Sequence, residues 1–230
     1  MDINHNREDL NKIITQFVLQ GEPKAGKAFG SGLINDTYRI LNASNTGPDY
    51  VLQRINHSIF KDVPALINNI LSVTAHLRGK LTQISDIERN KRVLSLIPTK
   101  VGNYYFKDKF GNFWRMYQLI AGTKSYDFAE SERQVYEGGV AFGRFQSKLA
   151  DLDTSLITDS IPNFHNIEKR LADLHQAIEK DEADRVQECK EEIAFIKQRE
   201  SEMAEILEMG RLGKLPKRVI HGDTKFNNIL

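Results

Sequence analysis

A single cysteine, Cys189, stands in 230 residues, so no disulfide framework can brace the chain and no set of thiolates can close a zinc site. A reducing, cytoplasmic setting is the expectation. Charge bias is missing as well: 32 Lys and Arg stand against 31 Asp and Glu, which leaves no net field to gather nucleic acid or an anionic membrane. Long apolar runs are also absent. None approaches the ~18 residues that a spanning helix needs, and residues 1–6 show neither the basic nor the apolar part of a signal peptide. The six histidines are scattered, without an H-E-x-x-H or C-x-x-C pair, so zinc catalysis has no ligand set. No G-x-S-x-G elbow supports a serine hydrolase. What remains is an ordinary globular composition, 40% hydrophobic and 27% charged, large enough to bury a core.

Hydrophobic spacing divides the chain near residues 120–123. Leu10, Ile13, Ile14, Phe17 and Val18 recur at helical period, with Asn6 as N-cap and Gly21 and Pro23 as the stop. Residues 24–56 then read as β: a glycine break at 30–32, a strand over 33–41, a turn at 45–49 and a strand over 50–55. Pro64 suits a first helical turn, and Leu66, Ile67, Ile70, Leu71 and Leu77 give a helix to pack on the sheet. Further strands are expected over 94–98, 104–107 and 112–120, with Trp114 and the aromatic run at 104–106 in the core. Beyond residue 122 the pattern is helical. Val135, Phe142, Phe145 and Leu149 mark one helix, whose Gly138, Gly139 and Gly143 cost stability unless another backbone packs close. Two charge-rich helices follow, over 166–180 and 182–209.

Two glycine-bearing motifs compete for a phosphate. G-x-x-x-x-G-K at 21–27 has the outline of a P-loop, but Ala28 supplies no hydroxyl for magnesium and the segment follows a helix rather than a strand. H-G-D-x-x-x-x-N at 221–228 is chemically more coherent. An Asp on a tight loop can accept the proton of an attacking hydroxyl, and an Asn five residues on can reach a magnesium ion bridging nucleotide phosphates. Asp223 and Asn228 have that spacing, Lys225 is set where a cation neutralises the transferred phosphoryl group, and His221 supports the loop. Short strands are expected on either side, over 217–220 and 227–230.

These features together resemble the aminoglycoside phosphotransferase and choline kinase branch of the protein-kinase-like fold. The carrying stretches lie at 30–38, 50–56, 59–60, 141–146, 163–165 and 221–230, and within the branch the likeness is nearest to the N-acetylhexosamine 1-kinases. The resemblance implies an α+β, two-lobed fold, with a β-rich N-lobe over 1–120 and the first part of a helical C-lobe over 121–230, as a C-terminally truncated piece of the whole domain. It implies ATP and Mg2+, and a small-molecule sugar phosphorylated at its anomeric hydroxyl. Other small alcohols such as homoserine, choline or a thioribose stay open, as does a non-catalytic nucleotide-binding module. Gly30, Ser31 and Gly32 would cover the phosphates, unless they form a plain hairpin turn, with Asn35 and Thr37 shaping that loop. Gln118 and Ile120 fall where a connector backbone would meet adenine. Gln53 stands where a typical kinase carries its third-strand Lys, and residues 63–85 contain no Asp or Glu to pair with one. Gln53, loop amides and magnesium are then left to hold the phosphates, or the site is weakened; Arg54 falls on the opposite strand face.

Overall fold

The computed structural model of the chain describes residues 7–30, 34–44 and 47–229. They form two compact units, one over Met1–Ser160 and Val219–Leu230, the other over Ile161–Arg218.

The first unit is built on an antiparallel five-stranded sheet. Its strands are β1 (Pro23–Ala28), β2 (Asp36–Asn42), β3 (Tyr50–Ile55), β4 (Phe106–Lys107) and β5 (Phe113–Gln118), in the order β1-β2-β3-β5-β4. Alternation along the strands makes two apolar faces. Ile40, Tyr50, Leu52, Trp114 and Met116 are buried against Leu10, Ile13 and Ile14 of α1 (Arg7–Ile14) and the following Phe17. Ile55, one step out of phase with Tyr50 and Leu52, is buried instead with Val63, Leu66 and Ile67 of α2 (Val63–Gly79). Each such side chain contributes roughly 1.5–3 kcal/mol of burial, which explains why these two helices hold the sheet. Asp62 caps α2, its carboxylate accepting the Ala65 N–H at 2.9 Å, and Pro64 occupies the first turn. A short α3 (Asp86–Asn90) follows, and α4 (Glu132–Lys148) starts from a Ser131 cap.

Several sequence expectations shift. The first helix stops at Ile14 rather than Val18 because the backbone there turns to lateral partners: Val18 N–H donates to Pro98 O at 2.9 Å and Lys100 N–H to Gln16 O at 2.8 Å. Asn6 lies outside the described residues, as do positions 45 and 46 of the expected turn. The strand expected over 94–98 reduces to a bridge between Leu96 and Tyr117 with two flanking bonds, Ile97 N–H to Met116 O and Gln118 N–H to Ser95 O. Pro98, lacking an N–H, cannot extend it. The P-loop outline is a strand: Gly26 lies at a register shift in β1, where an added Cβ would fall 1.7 Å from Arg39 O.

In the second unit α5 (Ile167–Lys180) is capped by Asn166. The long helix expected over 182–209 is broken into α6 (Lys190–Lys197) and α7 (Glu200–Arg211). The guanidinium of Arg199 takes the Phe195 carbonyl that its own N–H would use in a continuing helix, and that N–H turns to Ile196 O. His175 and Glu200, 2.5 Å apart, and an Arg211–Glu168 ion pair join α5 to α7. Neither strand expected around the closing motif forms among the described residues; 226–228 is instead a single 3-10 turn. The carbonyl of Val219 is taken by a helix side chain, so the segment has no ladder to join. Among the described residues no helix is long and apolar enough to cross a membrane.

Candidate active site

The segment 219–229 lies along one side of α4. Gly138, Phe142, Phe145, Gln146 and Leu149 recur at the period that stacks side chains on one helix face, and each meets it. Leu149 and Leu152 bury Val219, and Gln146 Nε2 donates to Val219 O at 2.8 Å. The imidazole of His221 stands edge-on to the Phe142 and Phe145 rings, at 5.7 and 5.8 Å. Phe226 lies so near Gly138 that a Cβ there would come within 2.9 Å of its ring. Of the three helix glycines only this one has a close neighbour; Gly139 and Gly143 have open space. Asn227 adds a bond to Asp127 at 3.4 Å, ahead of the helix.

This docking fixes the acidic end of the motif. His221 Nδ1 accepts the Asp223 N–H at 3.3 Å, and Gly222, at φ 77°, makes the left-handed turn between them that glycine adopts without Cβ strain. The Asp223 carboxylate meets Lys225 Nζ at 3.0 Å and Asn228 Nδ2 at 3.0 Å, and the same amide donates to Asp223 O at 2.8 Å. The hydrogen bond from Lys225 foremost holds the Asp223 carboxyl below its usual range; burial opposes it, and the Asn228 hydrogen bond with the nearby Lys225 and His221 charges tips the balance further down. Both charged side chains remain about half exposed, at 54% each, so the carboxylate is within reach of a small molecule.

The structure thus brings together Asp223, Lys225, Asn228 and His221. Asn228 Oδ1 has no hydrogen-bond partner among the described residues, and with the Asp223 oxygens it makes a small all-oxygen donor set. That set suits magnesium, which takes few protein ligands and fills its octahedron with water and phosphate oxygens. Among the described residues no cluster of three or more His, Cys, Asp or Glu offers a fuller cage.

The residues assigned to the nucleotide form a second set, on the sheet. Gly30 has φ 86° beside β2, where Phe29 N–H donates to Thr37 O at 2.8 Å; Ser31 and Gly32 lie outside the described residues. Asn35 Oδ1 accepts the Asn56 N–H at 3.0 Å and so ties the start of β2 to the end of β3. Thr37 and Gln53 are cross-strand partners joined by a 3.0 Å hydrogen bond from Gln53 Nε2 to Thr37 Oγ1. The Gln118 amide is used by Ser95 O, that of Leu119 by Asp49 O, and Ile120 O accepts from Thr123 Oγ1 at 2.9 Å. No hydrogen bond or ion pair among the described residues joins this set to the first. Arg54 is tied to Asp36 on the other sheet face.

Two features of these sets are not legible in the sequence. Arg115 lies opposite Gln53 on β5 and donates through Nε to Gln53 Oε1 at 3.1 Å; only the strand register brings them together. The α4 face was visible as a periodicity, but not as the platform for the motif.

Residues 25–230 match the phosphotransferase enzyme family, APH. Among solved structures the chain is similar to the amicoumacin kinase hAmiN in complex with AMP-PNP, Ca2+ and Ami, at 15% sequence identity and a TM-score of 0.46. The match covers 65% of this chain and 41% of that one, so the chain spans less than half of that kinase's length.

Proposed function

The chain belongs to the phosphotransferase enzyme family, and from that premise we propose that it acts as an ATP- and magnesium-dependent small-molecule kinase whose acceptor is the anomeric hydroxyl of an N-acetylhexosamine. Residues 1–120 are the nucleotide lobe in this reading, 121–230 the first part of the helical lobe, and the setting is cytoplasmic. The observation that carries it is the convergence of Lys225 and Asn228 on the Asp223 carboxylate, on a loop docked against α4. The choice of a hexosamine is supported by the sequence likeness alone.

The acceptor oxygen attacks the γ-phosphorus in line, the bond to the β-phosphate oxygen breaks with its electrons, and ADP leaves. Asp223 takes the hydroxyl proton. Lys225, released from Asp223 toward the γ-phosphoryl oxygens, neutralises charge there. The same movement removes the strongest influence acidifying Asp223 and makes it a better proton acceptor. Asn228 would hold magnesium, which would supply neutralisation of the polyphosphate charge.

ADP release measured against N-acetylhexosamines, homoserine, choline and a thioribose tests the acceptor. Turnover confined to the hexosamines is expected, and turnover of another alcohol reassigns the substrate. Asp223→Ala is expected to lower turnover about 10²- to 10⁴-fold with Mg-ATP binding retained; unchanged turnover removes Asp223 as the base. Binding of Mg-ATP without any turnover favours a nucleotide-binding module instead.

A further inference from the structure

Thr37, Gln53 and Arg115 stand directly opposite one another across β2, β3 and β5, and residues so paired share a sheet face. A chain of hydrogen bonds runs along the row, Arg115 Nε to Gln53 Oε1 at 3.1 Å and Gln53 Nε2 to Thr37 Oγ1 at 3.0 Å. The Gln53 amide is therefore engaged at both its oxygen and its nitrogen. Its oxygen holds the Nε edge of Arg115.

Arg115 is unusual in what its guanidinium leaves unused. The other half-buried arginines of this unit, Arg54, Arg78 and Arg89, all commit terminal nitrogens: Arg54 to Asp36 and Asn112, Arg78 to Asn90, Ser95 and Val93 O, Arg89 to Asp86 and Ile84 O. Among the described residues Arg115 commits only Nε, pairs with no carboxylate, and stacks with its Cζ 5.1 Å from the Tyr117 ring. α2 packs on this same face through Ile55 and Phe113, and it carries no Asp or Glu. A half-buried cation without a counter-charge is costly unless an anion is supplied, and a planar fork of free N–H groups suits phosphate oxygens. The row ends at Thr37, whose carbonyl is bonded to the residue before Gly30. It therefore ends beside Phe29 and Gly30.

We propose that Arg115, aimed by Gln53, is the cation that binds the polyphosphate of the nucleotide. The proposal rests on the kinase reading above and moves the phosphate contact from the third strand, where Gln53 stands, to the neighbouring fifth. Gln53 and Thr37 are positioning residues.

The test is Mg-ATP affinity beside adenosine affinity, by calorimetry or competition, in the wild type and in Arg115→Met, Arg115→Lys and Gln53→Leu, with circular dichroism for folding. Arg115→Met is expected to weaken Mg-ATP about 10- to 100-fold, the scale of charge-assisted hydrogen bonds, while adenosine binds as before. Arg115→Lys recovers part of the loss, and Gln53→Leu shows a smaller loss with the same selectivity for ATP. Mg-ATP binding unchanged in Arg115→Met, or adenosine and ATP weakened in parallel, overturns the assignment and leaves the kinase reading intact. If Arg115→Met does not fold, Gln53→Leu decides: equal loss for both ligands, or none for either, overturns it. A wild type that binds neither ligand overturns both readings.

Discussion

At the scale of single residues, two carboxylates show how differently the same side chain can be held. Asp108 accepts from Phe110 N–H, Asn112 N–H, Asn112 Nδ2 and Trp114 Nε1, all between 2.8 and 3.0 Å. Burial acts first, raising its pKa, but these bonds prevail and hold it below the usual carboxylate value. Asp223 has a lysine and one amide instead, stays exposed, and keeps a partner that can leave. Asp108→Ala is expected to cost roughly 1.5–3 kcal/mol in urea denaturation, the range for hydrogen bonds to a charged group. A depressed folded-state pKa also sets the sign of the pH dependence. The stabilisation is complete above the ordinary carboxylate pKa and is lost as pH falls through it toward the lower folded value, because the unfolded chain takes up its proton first. Asp108→Asn should therefore flatten the acid limb of a stability-versus-pH curve relative to the wild type.

At the scale of elements, the glycines of α4 separate packing from propensity. A methyl group added at Gly139 would have nothing within 4 Å, whereas at Gly138 it would meet the Phe226 ring at 2.9 Å. Gly139→Ala should thus raise stability by about 0.5–1 kcal/mol through helix propensity alone. Gly138→Ala should gain the same propensity yet displace Phe226 and the motif behind it. Thermal melting with a parallel assay of ADP release separates the two: the first variant keeps turnover, the second loses it more than it loses stability. Gly26→Ala, with its Cβ 1.7 Å from Arg39 O, should detach β1 from β2 and lower the melting temperature sharply. These positions also show what was legible in the sequence. Period-2 runs gave β3 at its observed bounds and the helical period gave α2 and α4, because in those segments the local pattern and the tertiary face coincide. The end of α1, the break at Arg199 and the short contact of 95–97 were hidden, since each is decided by a hydrogen bond to a distant or side-chain partner. The closing motif could be read because its groups lie within eight residues of one another. Arg115 could not, because nothing local links position 115 to position 53.

At the scale of the whole molecule, burial is uneven. Every buried side chain among the described residues belongs to the unit over Met1–Ser160 and Val219–Leu230. The unit over Ile161–Arg218 holds its helices by partly covered apolar positions and by exposed ion pairs such as Arg211–Glu168, while Phe195 and Ile206 stand 55% and 70% exposed. Exposed pairs of this kind contribute about 0–1 kcal/mol each, far less than one buried leucine. Local opening free energy follows buried apolar contact, so the two units should not open together. Hydrogen exchange followed by mass spectrometry is expected to show α5, α6 and α7 exchanging well before β2, β3 and β5, with the α4 face and the motif it carries in the slow class. Raising the salt concentration should speed exchange in 161–218 further, by screening its ion pairs, and leave the sheet unchanged. Equal protection across the two units would mean that the helices of 161–218 are held by burial that the isolated pairs do not supply.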